Sequence, residues 1–186
     1  AMAQAEARML LEAVTRHLEN YAGLESELLE AKSCAEKALA ISEQSGDSAG
    51  VAEARAQIVR SLLFVSFDRP EALGEAVEMA EQHLERYRQE GDLRGEVVMM
   101  LALCEVNMEK RGPVLRDAAA EEAKKARAQA VQLNDKLLEA KAALNVAKVL
   151  VKKCDKGGGP ALAKEAIRAA NDALLLFREL GDKKEQ

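Results

Sequence analysis

Apolar residues recur along this chain at spacings of three and four, with few alternating runs, so the pattern predicts helices and no strands. Starting from Glu6, Glu53, Glu96 and Glu139, the residues 1, 5, 8 and 12 places further on are small or apolar. They are Ala7, Leu11, Val14 and Leu18; Ala54, Ile58, Ser61 and Val65; Val97, Leu101, Cys104 and Met108; and Ala140, Leu144, Ala147 and Val151. Those offsets trace one face of an α-helix. A second helix follows each of these and ends at a turn: Gly46-Asp47, Gly91-Asp92, Asn134-Asp135 and Gly181-Asp182. Counting back from the turns gives two all-alanine columns, Ala31, Ala76, Ala119, Ala166 and Ala35, Ala80, Ala123, Ala170. A third column reads Ala38, His83, Ala126, Ala173. Such a stripe lets another helix lie close against it.

The helix boundaries carry their own signals. Pro70, Pro113 and Pro160, the only prolines, each stand 21 residues before a turn, and Glu25 holds that slot in the first unit, just after Gly23-Leu24. Proline suits the first helical position, where its missing N–H has no intrahelical partner. Glycine or asparagine then accepts the left-handed conformation that ends a helix. Asp92 and Asp182 are placed to cap the next one. The turns are 45, 43 and 47 residues apart, a period that marks a stacked array. Helices are expected over about 4–20, 25–45, 49–66, 70–90, 93–110, 113–133, 136–153 and 160–180. The expected fold is all-α: a right-handed α-solenoid of four antiparallel hairpins in one domain, with units of about 4–46, 49–91, 93–134 and 136–181. One loop, Cys154-Asp155-Lys156-Gly157-Gly158-Gly159, departs from the period and reads as a flexible insertion.

Composition narrows the function classes. The chain has 186 residues, 48% hydrophobic and 32% charged, with 3% aromatics and no Trp. A net charge of −5 argues against nucleic acid as the main partner. No apolar run approaches the roughly 18 residues that a membrane span needs. Cys34, Cys104 and Cys154 are odd in number and lack metal spacing, which suits reduced thiols in the cytoplasm or a plastid stroma. Ala1-Met2-Ala3 reads as a trimmed terminus. His17 and His83 have no second ligand one turn away, so no metal site is expected, and His83 reads as partly buried in its column. No nucleophile set or paired carboxylates emerge, so no cofactor and no catalysis are expected.

The small residues of the first helices, the Ala-x3-Ala-x2-Ala spacing of the second and the Gly-Asp boundaries resemble the tetratricopeptide repeat family in a long-period form of roughly 42–45 residues. The stretch Ala169-Ala170-Asn171-Asp172-Ala173-Leu174-Leu175-Leu176-Phe177-Arg178-Glu179-Leu180-Gly181-Asp182 carries it best and is similar to repeat boundaries of algal and other protist proteins. The signature Trp and Tyr are missing, and the first and third units match least well. The resemblance implies a protein–protein interaction scaffold whose first helices line a groove for a peptide or partner domain. The alternative is a structural or docking domain within a larger multidomain chain.

Positions 2, 6, 9 and 13 after each marker Glu would line that groove. They read Arg8, Glu12, Thr15, Glu19; Arg55, Val59, Leu62, Ser66; Val98, Ala102, Glu105, Glu109; and Lys141, Asn145, Lys148, Lys152. The expected binding surface is Arg55, Val59 and Leu62, then Glu105, then Lys141, Asn145, Lys148 and Lys152. An ordinary solvated face is the competing reading. The basic set resembles half of a carboxylate clamp, but Glu105 and Glu109 occupy the place of the other half. The last helix carries Leu174, Leu176, Phe177 and Leu180, more apolar surface than one hairpin covers. That predicts a contact there: a homodimer, or a further repeat of a longer chain.

Overall fold

A computed structural model describes residues 2–21, 25–109, 113–155, 157 and 159–181, and for 113–115 the backbone alone. Gly23, Leu24, Lys156, Gly158 and the expected cap Asp182 lie outside the described residues. Within them the chain is all-α, with eight helices and no strand: α1 Met2–Glu19, α2 Glu25–Ser45, α3 Ser48–Val65, α4 Ala72–Glu90, α5 Leu93–Glu109, α6 Pro113–Gln132, α7 Lys136–Cys154 and α8 Pro160–Leu180. None of these is long and apolar enough to cross a membrane.

The turns follow from local chemistry. Gly46, Gly91, Asn134 and Gly181 all take positive φ, between 54° and 70°. The next residue's N–H then reaches back to close the helix: Asp47 to the Ser42 carbonyl at 2.9 Å, Asp92 to Tyr87 at 2.9 Å, Asp135 to Ala130 at 3.1 Å. The same aspartates start the following helix. The side chains of Asp47, Asp92 and Asp135 accept from the amides of Gly50, Gly95 and Leu138 at 3.0, 2.9 and 3.0 Å. Pro113 and Pro160 open α6 and α8 as expected. Pro70 lies two residues before the assigned start of α4. The intervening turn is tight, with the Ala72 amide on the Arg69 carbonyl at 2.9 Å and that of Leu73 on Pro70 at 3.2 Å.

The chain divides into two compact units, residues 1–102 and 103–186. In the first, α1 packs on α2 and on α3, α2 on α3, and α3 on α4. Its core joins Val14 and Leu18 of α1 to Leu28, Ala31 and Ala35 of α2 and Ile58 of α3. In the second, α7 packs on both α6 and α8. Its core joins Cys104 and Met108 of α5, Ala119, Ala120 and Ala123 of α6, Val146, Val149 and Leu150 of α7, and Ala166 and Ala169 of α8. The short connections make successive helices antiparallel. The alanine columns are buried as expected, with Ala119 close enough for its carbonyl to accept from Cys104 Sγ at 3.3 Å. The exception is Ala170 in α8, exposed, with Ala169 buried in its place; on the first-helix face Val151 of α7 is exposed.

Candidate interaction surface

The capping aspartates give a common origin for the first helices, and it corrects the sequence alignment of the second unit. Glu96 and Glu139 stand four residues after Asp92 and Asp135, but Glu53 stands six after Asp47. A shift of two residues turns a helix by about 200°. Arg55, Val59 and Leu62, expected in the groove, are therefore on the opposite side and buried. Arg55 is a structural clamp there. Its guanidinium donates to the Tyr87 hydroxyl at 3.3 Å and to Glu43 Oε1 at 3.2 Å, and it lies 5.8 Å from the Tyr87 ring centre. It ties α3 to the C-terminal ends of α2 and α4. In the corrected register the α3 stripe is Glu53, Gln57, Arg60 and Phe64.

One repeated contact supports this register. Gln57 Nε2 donates to Thr15 Oγ1 at 3.4 Å, and Asn145 Nδ2 donates to Glu105 Oε1 at 3.3 Å. Thr15 and Glu105 are equivalent positions in α1 and α5. Gln57 and Asn145 are equivalent in α3 and α7 once counted from the caps.

In the second unit the structure brings the expected acidic and basic residues together, as partners. Beside the Asn145–Glu105 bond, Lys152 Nζ pairs with Glu109 Oε1, and Lys153 Nζ with Asp117 at 2.6 Å. The acidic and basic stretches therefore partly neutralise each other. Lys148 is exposed and Lys141 half-buried on the same stripe, while Asn145 is buried. The result is a polar ladder in which the exposed Lys148 carries positive charge to the surface.

The first unit holds a feature that the sequence reading missed. Three of the chain's five aromatic rings gather where α3 ends and the connection to α2 begins. Phe64 meets Tyr21 edge-on at 5.9 Å and Phe67 at 5.6 Å. The Tyr21 hydroxyl donates to Asp68 Oδ2 at 2.8 Å, which raises the phenol's pKa. Phe67 is 57% exposed. The Phe-x-x-Phe spacing, rare in so aromatic-poor a chain, is the signal that could have found it.

The α8 residues separate. Phe177 is 2% exposed and faces its own unit's interior, so it is not part of an outward surface. The reason is again the turn: Ser42, Tyr87, Ala130 and Phe177 occupy the fifth place before each turn aspartate, and all four are buried. Leu174 and Leu176 are half-buried, and Leu180 is exposed together with Leu175 and Ile167.

Among the described residues, three titratable groups bear on the chemistry of the surface. Burial, reinforced by Glu105 and Glu122, pushes the Cys104 thiol far up, away from thiolate chemistry. Burial lowers the pKa of His83, helped by the charges of Arg55 and Arg86. His17 lies 3.8 Å from Glu30. No group of three metal-ligating side chains occurs among the described residues.

No family model matches the sequence, and no curated protein matches it. Among solved structures the chain is similar to the de novo designed helical repeat protein DHR64, at 19% identity over 99% of this chain and 98% of that one, with a TM-score of 0.37. It is also similar to the DHF58 filament, at 19% identity over 100% of this chain and 99% of that one, with a TM-score of 0.38.

Proposed function

We propose that the protein is a non-enzymatic interaction scaffold that binds a protein or peptide on the outward stripes of its first helices, in the manner that the tetratricopeptide resemblance implies. The observation that carries this reading is the Tyr21–Phe64–Phe67 cluster. Keeping the Phe67 ring in water is unfavourable, and aromatic anchors beside polar groups are what protein interfaces use for most of their binding energy. Asp68 and Arg69, both exposed, supply a polar rim. The α7 stripe of the second unit is a separate surface of the same kind, where the exposed Lys148 would meet an acidic group. Nucleic acid and membrane are not the proposed partners.

The test is capture of a partner with the whole chain, followed by measured affinity for that purified partner. Phe67→Ala is expected to weaken binding about tenfold or more while leaving the melting temperature unchanged. For a partner held on the α7 stripe, Lys141→Glu with Lys148→Glu should weaken binding and flatten its salt dependence. Affinity indifferent to both sets of changes would discard these surfaces. A docking role inside a larger assembly predicts the same variants to act only in that assembly.

A further inference from the structure

The internal contacts between successive first helices follow a rule, and α1 and the α7–α8 face carry complementary halves of it. Leu18 of α1 packs with Ile58 of α3, the first helix of the next hairpin. Its equivalent in α5, Met108, packs with Val146 and Leu150 of α7. The third equivalent, Val151 of α7, is 49% exposed. The second helices repeat the pattern. Ala120 and Ala123 of α6 lie in the core against α7. The same places in α8 are Ile167, 61% exposed, and Ala170, also exposed. The α7–α8 hairpin thus presents, on its far side, the surface that elsewhere receives a first helix.

The polar contacts specify which helix fits. An amide on the incoming helix bonds an oxygen on the preceding one: Gln57 to Thr15, and Asn145 to Glu105. On α7 the preceding-helix position is Lys148, exposed and cationic. On α1 the incoming-helix position, three residues before Thr15, is Glu12, exposed and anionic. One turn earlier on the same side of α1 stands Met9, 69% exposed, at the place held by Ala142 in α7. Docking α1 of one chain on α7–α8 of another would pair Lys148 with Glu12 and cover Leu144 and Val151 with Met9 and the aliphatic stem of Arg16.

We propose that the occupant of the α7–α8 face is α1 of a second copy, so that copies associate through these two unlike faces and repeat the internal packing. Such a contact is heterologous, joining unlike faces of two copies, so it builds a ring where the rotation closes and an open array where it does not.

Sedimentation of the purified chain alone tests this, from about 1 µM to about 1 mM. The mean mass is expected to rise above that of the monomer as concentration increases. Lys148→Glu and Glu12→Lys, both at exposed positions, should each weaken association about 5- to 30-fold, by replacing attraction with repulsion. Mixing the two variants should restore it, because each reversed face then meets its complement. Val151→Asp should weaken association likewise, and Leu175→Asp should not. Circular dichroism and melting of each variant establish that it is folded. A chain that stays monomeric throughout overturns the proposal. So does association indifferent to both charge reversals, or failure of the mixture to recover. No partner protein is present in this experiment, so its outcome is independent of the binding reading above.

Discussion

At the scale of single residues, glycine and histidine show how closely the turns are built. Gly50 and Gly95 stand three residues after their capping aspartates, and a Cβ there would lie 2.5 Å from Ser42 Oγ or from the Tyr87 ring. Alanine is the better helix former by about 1 kcal/mol. At Gly95 the clash should outweigh that gain, because Tyr87 is buried and held by Arg55. Gly95→Ala is therefore expected to lose about 1–3 kcal/mol of stability in urea unfolding. Equal or greater stability would mean that the ring can move. His83 replaces an alanine of the packing column, and its pKa in the folded state is lowered from 6.5. The folded state thus resists protonation. The histidine's contribution is unchanged above pH 6.5, and stability falls as the pH drops through 6.5 toward the lowered value, where the unfolded chain binds the proton more readily. His83→Ala should lose less stability than the natural chain between pH 7 and pH 5.5. Parallel losses in the two proteins would show that His83 plays no part.

At the scale of elements, the sequence was most readable where a boundary depends on backbone chemistry. Glycine and asparagine in the left-handed conformation, aspartate caps and proline at the first turn act locally, so all eight helices begin and end within two residues of their expected places. The buried alanine columns were readable for a related reason: close helix packing admits little else. The groove is not readable in α3 from Glu53, which stands six residues after its turn aspartate where Glu96 and Glu139 stand four after theirs. The cap at Asp47, fixed by its bond to the Gly50 amide, was the better origin. Phe177 was misread for another reason: a run of four apolar residues on α8 does not show which one points inward, whereas the fifth place before the turn aspartate does. The columns also predict how a helix contact fails. Ala119→Leu should overpack the crossing where Cys104 Sγ meets the Ala119 carbonyl, at a cost of about 1–3 kcal/mol. Unchanged stability in urea would show that α5 and α6 can move apart there freely.

At the scale of the whole molecule, the hairpins differ in how much of each helix other helices cover. α3, α5 and α7 carry the most buried positions, and α3 and α7 have helices on more than one side. α8 buries four described positions and leaves Ile167, Leu175 and Leu180 in water. Local opening is easiest where few buried contacts must be broken. Amides in the interior of α3, α5 and α7 are therefore expected to exchange with solvent most slowly, and those of α1 and α8 faster by about one to two orders of magnitude. Hydrogen exchange read by mass spectrometry in dilute solution checks this, and equal protection of α7 and α8 would contradict it. The same measurement at high concentration separates the modes of association. Docking of α1 on α7–α8 of a second copy covers both faces together, so protection should rise at both. A symmetric contact through α8 would raise it in α8 and leave α1 as fast as before.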